Sequence, residues 1–110
     1  MKKSDFNRDV IELVWLIPKG RVSTYGAIAN YLGAKRSSRM VGWVLNSAIN
    51  IPNFPAHRVV NRVGLLSGKI HFSSITKMED LLLKDGVEVK NDIVVNFNKI
   101  FWNPMSDLKL

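Results

Sequence analysis

Residues 23–46 read STYGAIANYLGAKRSSRMVGWVLN, and the spacing of apolar and small residues in this stretch predicts two short helices. Ser23 or Thr24 can cap the first helix, because a short hydroxyl side chain accepts a hydrogen bond from a free backbone N–H there. Gly33 suits the left-handed position that ends a helix, and the basic turn AKR follows at residues 34–36. The two helices are therefore separated by a tight turn.

The second helix of this stretch has two different faces. Ser37 or Ser38 can cap it, and Val41, Val44 and Leu45 recur at the spacing of a face that turns inward. Two short helices joined by a tight turn, the second with an arginine and small residues outward, predict a helix-turn-helix. The outward face carries Arg39, Gly42, Trp43 and Asn46.

Helical patterns also occur on both sides of this stretch. Apolar residues recur at helical spacing from Phe6 to Ile17, where the sequence PKG at residues 18–20 ends the pattern. Residues 76–79, TKME, match a capping box and predict a helix that runs to Gly86. Helices therefore account for most of the predicted regular structure.

Short strands are predicted between and after these helices. Residues 57–60 predict a short strand between irregular stretches at residues 50–55 and 64–74. Alternating apolar residues at 87–89 and 93–95 predict a C-terminal β-hairpin. We therefore expect a mostly α fold of the α+β class, with a winged-helix-like helix-turn-helix and a small hairpin.

The composition limits the size of the fold and the kind of partner. A chain of 110 residues with 46% hydrophobic residues suits one domain over residues 1–110, with Phe101 and Trp102 packed back on its body. The net charge of +7 favours a polyanionic partner, nucleic acid before an acidic membrane surface. Without a signal-peptide pattern or an apolar run of membrane-spanning length, we expect a cytoplasmic protein, nucleoid-associated or, in a eukaryote, nuclear.

Metal and thiol chemistry are poorly supported by the sequence. The chain has no cysteine, and its two histidines, His57 and His71, lack the spacing of a metal-binding pair. We therefore expect no metal, no disulfide and no cofactor.

Three segments occur in an order that is specific to one family. They are IPKGRVSTYG at residues 17–26, RMVG at residues 39–42 and PAHRVV at residues 55–60. Together they resemble the DNA-binding domain of the O6-alkylguanine-DNA alkyltransferases, in which Ala56 would be a nucleophilic cysteine. Alanine there, no match to the family's usual N-terminal domain, and the ending FWNP at residues 101–104 resemble the non-enzymatic branch, the alkyltransferase-like proteins.

The resemblance implies a DNA-binding face with two special side chains. Arg39 corresponds to the family's arginine finger, which enters through the minor groove and fills the gap left by an extruded nucleotide. Tyr25 corresponds to the tyrosine that presses on the neighbouring phosphate and helps rotate the nucleotide outward. A solvated arginine and an aromatic anchor of the helix are the alternatives. The implied DNA-binding residues are Thr24, Tyr25, Gly26, Ser37, Ser38, Arg39, Met40 and Gly42.

The resemblance also implies a pocket for the extruded base. Alanine has no lone pair to accept an alkyl group, so direct transfer at this position is excluded, although Ala56 could be merely a small buried residue. His57 and Asp85, part of a catalytic relay in enzymatic relatives, are expected to be structural here. Lys69 could offer a positive charge to the lesion or could be a solvated loop residue. The implied lesion-pocket residues are Tyr25, Leu45, Pro55, Ala56, Val59 and Lys69.

These observations predict a non-enzymatic, monomeric sensor of DNA damage. The expected partners are double-stranded DNA containing O6-alkylguanine and nucleotide excision repair proteins, which would receive the lesion from this protein. Two alternatives remain open at this point. One is a helix-turn-helix transcriptional regulator, and the other is a base-processing enzyme that uses His57 and Asp85.

Overall fold

The computed structural model describes residues 5–33 and 37–108 of the chain, so the predicted basic turn at residues 34–36 lies outside the described residues. The helices and strands follow one another in the order α1, β1, α2, α3, β2, α4, β3, β4, α5 and α6. The helices are α1 (Asp5–Trp15), α2 (Tyr25–Tyr31), α3 (Ser38–Ala48), α4 (Lys77–Lys84), α5 (Phe97–Ile100) and α6 (Pro104–Asp107). The strands are β1 (Ser23–Thr24), β2 (Val59–Val60), β3 (Val89–Lys90) and β4 (Ile93–Val94).

The predicted helix-turn-helix is formed by α2 and α3. The Oγ1 atom of Thr24 accepts a hydrogen bond of 3.0 Å from the backbone N–H of Ala27, so Thr24 is the cap of α2. Gly33 has a φ of +74°, a left-handed conformation that glycine adopts without the steric cost of a Cβ atom. Ser37 occupies the N-cap position of α3, but its side chain makes no capping hydrogen bond.

The main core lies between the first three helices. It contains Val10 and Val14 of α1, Ile28 of α2, and Val41 and Leu45 of α3, all 4% exposed or less. Val41 and Leu45 are among the residues that the helical spacing predicted to face inward. Burial of each such side chain contributes about 1.5–3 kcal/mol relative to an exposed state. The packing of α2 and α3 against α1 therefore fixes which face of α3 remains outside.

A short parallel pairing joins the helix-turn-helix to the segment that follows it. Ser23 of β1 pairs with Val59 of β2, and Thr24 pairs with Val60. Successive side chains of a strand point to opposite sides, so Val59 packs in the main core while Val60 enters a second apolar cluster. The pairing brings the start of α2 next to residues 55–60.

The predicted strand at residues 57–60 is only partly correct. Ala56–Arg58 form a turn of 3₁₀ helix, and the strand is limited to Val59 and Val60. A 3₁₀ turn points successive side chains in different directions, which lets His57 and Arg58 face buried partners. Residues 69–71, predicted as irregular, form a second 3₁₀ turn.

The predicted C-terminal hairpin is present with shorter strands. Val89 pairs with Val94 and Lys90 with Ile93, so Lys90 belongs to the first strand. The turn consists of Asn91 and Asp92, whose φ angles are +53° and +64°. Both values fit the tight hairpin turn in which two successive residues are left-handed.

The predicted capping box at residues 76–79 does not form. α4 begins at Lys77, but Thr76 has a helical backbone conformation and its hydroxyl group makes no capping hydrogen bond. A capping hydroxyl normally requires an extended backbone at the cap, which explains the difference. The end of the helix is as predicted, since Gly86 has a φ of +85° just after it.

The C-terminal segment folds back on the domain, as Phe101 and Trp102 predicted. Trp102 is 3% exposed within the main core, and its backbone N–H donates to the carbonyl of Val22 at 2.7 Å. The guanidinium of Arg21 donates to the carbonyls of Ile100 and Phe101 at 2.8 and 2.7 Å. Two short helices in this segment, α5 and α6, carry too few residues for a helical period to be visible in the sequence.

Candidate nucleic-acid interface

Ala56 lies in the wall of a small cavity between the helix-turn-helix and the loop that follows β2. It is 5% exposed, and the cavity has a volume of about 10 Å³. Of the predicted pocket residues, Tyr25, Leu45 and Ala56 line this cavity together. The complete lining is Tyr25, Leu45, Asn46, Ile49, Ala56, Gly68, Phe72 and Met78.

Tyr25 reaches across this site from the first turn of α2. A methyl group built on Gly68 would lie 2.9 Å from the Tyr25 hydroxyl, and one on Gly42 would lie 3.9 Å from the ring. Burial raises the pKa of Tyr25, while hydrogen bonding with Ser67 acts in the opposite direction. Tyr25 is therefore a neutral phenol held between α3 and the loop at residues 67–68, and a side chain at position 68 would displace its hydroxyl group.

Three other predicted pocket residues have different surroundings. Pro55 is buried, and Val59 is fully buried in the main core. The Nζ atom of Lys69 lies 2.6 Å from Oδ2 of Asp92 in the hairpin turn. None of these three is among the described residues that line the cavity around Ala56.

His57, Arg58 and Asp85 form a closely bonded cluster, called here the carboxylate cluster. His57 Nε2 lies 2.9 Å from Oδ2 of Asp85, and Arg58 Nε donates to the same oxygen at 2.7 Å. Arg58 Nη2 donates to the second carboxylate oxygen at 3.2 Å, and Nη1 donates to the carbonyl of Ile17 at 3.0 Å. The cluster thus joins the 3₁₀ turn, the end of α4 and the segment after α1.

The protonation of the carboxylate cluster follows from burial and hydrogen bonding. Burial lowers the pKa of His57, and this outweighs the hydrogen bond and charge of Asp85, which act to raise it. Burial alone would raise the pKa of Asp85, but hydrogen bonds from Arg58 and His57 bring it below its usual value. At neutral pH the cluster is an ion pair of Arg58 with Asp85, and His57 is a neutral partner.

The outer face of α3 is exposed. Met40 and Trp43 have exposed fractions of 44% and 62%, and Arg39 is also exposed. Among the described residues, Arg39 has no side-chain hydrogen bond or ion pair. A shallow groove of about 360 Å³ runs along this face, and it is lined by Tyr25, Ser38, Arg39, Gly42, Trp43 and Asn46.

The other predicted DNA-binding residues lie around this groove with unequal access. Gly26 is exposed at the start of α2, while Ser37 and Ser38 are half-buried at the start of α3. Thr24 is 7% exposed and its hydroxyl is occupied by the capping bond. Thr24 can therefore position the first turn of α2, whereas Gly26 leaves its backbone accessible.

Several residues of the site carried a weak signal or none in the sequence. Arg58 directly follows His57, yet nothing in the local pattern indicates that it shares the carboxylate of Asp85. Gly68 and Phe72 lie in a stretch without periodicity, so their approach to Ala56 depends on the tertiary fold. Asn46 was predicted on the outward face of α3, and it lines both the exposed groove and the cavity beside Ala56.

Within residues 5–33 and 37–108, no three histidine, aspartate or glutamate side chains are grouped closely enough to hold a metal ion. Across that same part of the chain, no helix is long and apolar enough to span a membrane.

The sequence matches a family model over most of its length. Residues 5–87 match the DNA-binding domain of 6-O-methylguanine DNA methyltransferase. The chain is 34% identical over 102 residues to a DNA base-flipping protein of Escherichia coli K12, an alignment that covers 93% of this chain and 78% of that protein. It is 32% identical to alkyltransferase-like protein 1 of Schizosaccharomyces pombe, with coverage of 94% and 100%.

Solved structures show the same relationship. The fold is similar to that of S. pombe Atl1 in a crystal structure with damaged DNA containing O6-carboxymethylguanine, with a TM-score of 0.81 and 32% identity. That similarity covers 94% of this chain and 100% of the other. The mostly helical fold predicted from the sequence is therefore confirmed. The chain belongs to the 6-O-methylguanine DNA methyltransferase family and, within it, to the alkyltransferase-like proteins.

Proposed function

We propose that this protein is a non-enzymatic DNA damage sensor that binds O6-alkylguanine in duplex DNA and holds the flipped base beside Ala56. The observation that carries this proposal is the pairing of Ala56 with an intact His57–Asp85 hydrogen bond of 2.9 Å. The scaffold that would support a nucleophile is present, but the nucleophile itself is an alanine. A protein built in this way can bind the lesion without accepting the alkyl group.

The absence of alkyl transfer follows from the chemistry of the side chain. Transfer from the guanine oxygen to the protein needs an atom with a lone pair, and a thiolate is the usual one. Ala56 ends in a methyl group, and the chain contains no cysteine that could replace it. The hydrogen bonds of His57 and Arg58 to Asp85 then serve to hold the 3₁₀ turn in place.

Entry of the base requires part of the site to move. The cavity beside Ala56 has a volume of about 10 Å³ in this structure, so it must widen to admit a purine. Base extrusion itself costs a few kcal/mol, and less where alkylation has weakened base pairing. Arg39 offsets this cost by occupying the gap in the base stack, since its guanidinium can stack and donate hydrogen bonds.

The DNA-binding surface in this proposal is the outer face of α3 with the first turn of α2. Tyr25 presses on the phosphate beside the extruded nucleotide, and Lys69 exchanges Asp92 for a phosphate or for the lesion. Pro55 and Val59 are buried on either side of the 3₁₀ turn that carries Ala56, and they hold that turn in place. Thr24 supports this surface by capping α2, and the residues that contact DNA are Tyr25, Gly26, Ser37, Ser38, Arg39, Met40 and Gly42.

Because no covalent product forms, the bound complex itself must be the signal. A monomer that remains on bent, arginine-wedged DNA provides a platform for nucleotide excision repair proteins. The protein would act wherever the genome is located, in the bacterial cytoplasm or in a eukaryotic nucleus.

Binding to two duplexes that differ by a single methyl group tests the proposal. We expect the purified protein to bind a duplex with a single O6-methylguanine more tightly than the same duplex with guanine, measured by fluorescence anisotropy at fixed salt. Mass spectrometry of the recovered DNA and protein should show no loss of the methyl group and no modified residue. Equal affinity for the two duplexes would rule out a damage sensor, and demethylated DNA would show an enzyme.

A further inference from the structure

Trp43 is the most exposed tryptophan of the described chain and has no role in the fold or in the base pocket. Its exposed fraction is 62%, compared with 45% for Trp15 and 3% for Trp102. Trp15 also packs edge-on against the ring of Phe54 at a centroid distance of 5.5 Å, whereas Trp43 has no ring partner among the described residues. Single exposed apolar side chains are common on protein surfaces, so the exposure of Trp43 gains its meaning from its position, on a helix where Met40 is also exposed. Tryptophan is in addition one of the residue types enriched at contact surfaces.

The position of Trp43 on α3 places it beside Arg39. Residues four apart lie one turn apart on the same face of a helix, so both side chains project outward together. Both line the shallow groove of about 360 Å³. Gly42, between them in sequence, adds no side chain to the groove, which leaves room for a strand to approach the helix.

From this geometry we propose that Trp43 is a second DNA-contacting side chain, which packs on the sugar-phosphate backbone next to the site where Arg39 enters the duplex. This inference rests on the proposed function, because it takes duplex DNA as the occupant of the groove. An indole suits that occupant, since its ring packs on the C–H surface of a deoxyribose while Nε1–H can donate to a phosphate oxygen. The net charge of +7 favours the same polyanion.

A backbone contact has a different consequence from the arginine finger. Deoxyribose and phosphate are the same in damaged and undamaged DNA, so Trp43 should add affinity for both without adding preference. Arg39 replaces an extruded nucleotide, so its contribution should be concentrated on the damaged duplex. Trp43 should therefore supply affinity for any duplex, and Arg39 should supply the preference for the damaged one.

Substitution of Trp43 tests this division. We expect Trp43→Ala to weaken binding to the O6-methylguanine duplex and to the unmodified duplex by the same factor, about tenfold or more for a buried interface tryptophan. Trp43→Phe keeps an aromatic surface and should retain most of the affinity. The matched control is Trp15→Ala, which removes the other exposed indole and should leave both affinities unchanged. A loss no larger than that of Trp15→Ala, or one confined to the damaged duplex, would overturn the proposal.

Fluorescence supplies a readout that does not depend on the stability of an alanine variant. In a Trp15→Phe background, Trp43 is the exposed indole and Trp102 is buried, so acrylamide quenching reports on Trp43. Either duplex should protect this emission from acrylamide. Unchanged quenching in the DNA complex would place Trp43 outside the interface and leave its surface for a protein partner. Protection by both duplexes without any lesion preference would uphold the contact while contradicting the damage-sensor function.

Discussion

The carboxylate cluster and the outer face of α3 differ in how far their side chains are buried and bonded within the fold. In the cluster, His57, Arg58 and Asp85 have side-chain exposures of 9%, 17% and 8%, and both oxygens of Asp85 accept hydrogen bonds. On α3, Arg39 and Trp43 project into solvent. The charges of the first region are paired within the fold, and Nδ1 of His57 is its one buried nitrogen without a hydrogen-bond partner among the described residues. The second region presents its side chains to solvent.

This difference separates the stability of the protein from its recognition of DNA. A buried charge that loses its partner destabilises the fold strongly, whereas an exposed side chain can be removed at little cost. The residues that resemble a catalytic relay should therefore affect unfolding, and the residues of α3 should affect binding. The following predictions test that separation.

The largest effect is expected at Asp85. Asp85→Ala leaves the guanidinium of Arg58 without its carboxylate in a buried position, which should lower the free energy of unfolding by about 3 kcal/mol or more. Urea denaturation followed by circular dichroism measures the change. Glu88→Ala removes an exposed carboxylate nearby in sequence and should have little effect on stability.

A small loss of stability in Asp85→Ala, equal to that in Glu88→Ala, would contradict the structural role of the cluster. Loss of lesion binding in the folded variant, at a temperature well below its unfolding transition, would assign Asp85 to recognition as well. Either result would remove the contrast between the two regions.

The next largest effect is expected at Arg39, and on binding only. Arg39→Ala should weaken binding to the O6-methylguanine duplex by about tenfold or more, because a central interface arginine is lost, while the urea midpoint stays unchanged. Lys84→Ala is the charge-matched control at the end of α4. The same loss in Lys84→Ala would mean that Arg39 contributes charge alone, and a shifted urea midpoint would place it in the fold.

The sequence predicted the parts of this comparison that depend on local spacing. The outward face of α3 and the inward position of Leu45 follow from helical periodicity, and both are confirmed. Residue type indicated Ser23 or Thr24 as the cap of α2, and Thr24 forms the capping hydrogen bond. The nearness of Tyr25 to Ala56 came instead from resemblance to a family, because no local rule joins residues that far apart.

Tertiary contacts decided what the sequence could not predict. Arg58 takes its role from Asp85, which lies 27 residues away, and Lys69 pairs with Asp92 across 23 residues. Thr76 had the residue type of a cap, but its backbone conformation left the hydroxyl unused. In each of these cases the side chain is able to form the bond, and the fold determines whether the bond forms and with which residue.

A moderate effect of pH on stability is expected from His57. Because the folded protein lowers the pKa of His57 below 6.5, the unfolded chain takes up this proton first as the pH falls. Stability should therefore decrease as the pH falls below 6.5 towards the folded pKa, by about 1.4 kcal/mol for each unit between the two values. Asp85, whose folded pKa is also lowered, adds a further loss below its unfolded value of 3.8.

Urea midpoints measured between pH 7.5 and 5.5 isolate the histidine contribution. His57→Gln should be less stable at pH 7.5 and should lose the slope over this range, whereas His71→Gln, at the exposed histidine, should keep it. A slope that persists in His57→Gln would show that another group causes the pH dependence.

The smallest effect is expected at the ion pair of Lys69 and Asp92, which joins the loop after β2 to the hairpin. The side chains are 28% and 40% exposed, so their ion pair contributes about 0.2–1 kcal/mol. If Lys69 leaves Asp92 to reach DNA, Asp92→Asn should strengthen duplex binding about two- to fivefold, because that competing contact is removed. Asparagine also tolerates the left-handed backbone at this turn position.

Anisotropy titrations of two further variants identify the source of this gain. Lys69→Ala should weaken binding, and Asp80→Asn, which removes one negative charge from the exposed surface of α4, should strengthen it less than Asp92→Asn does. Equal gains in the two asparagine variants would show that the stronger binding comes from the change in net charge alone. Unchanged affinity in Lys69→Ala would make the pair a structural tie between loop and hairpin, and would assign Lys69 to the side chains paired within the fold instead of the DNA-binding ones.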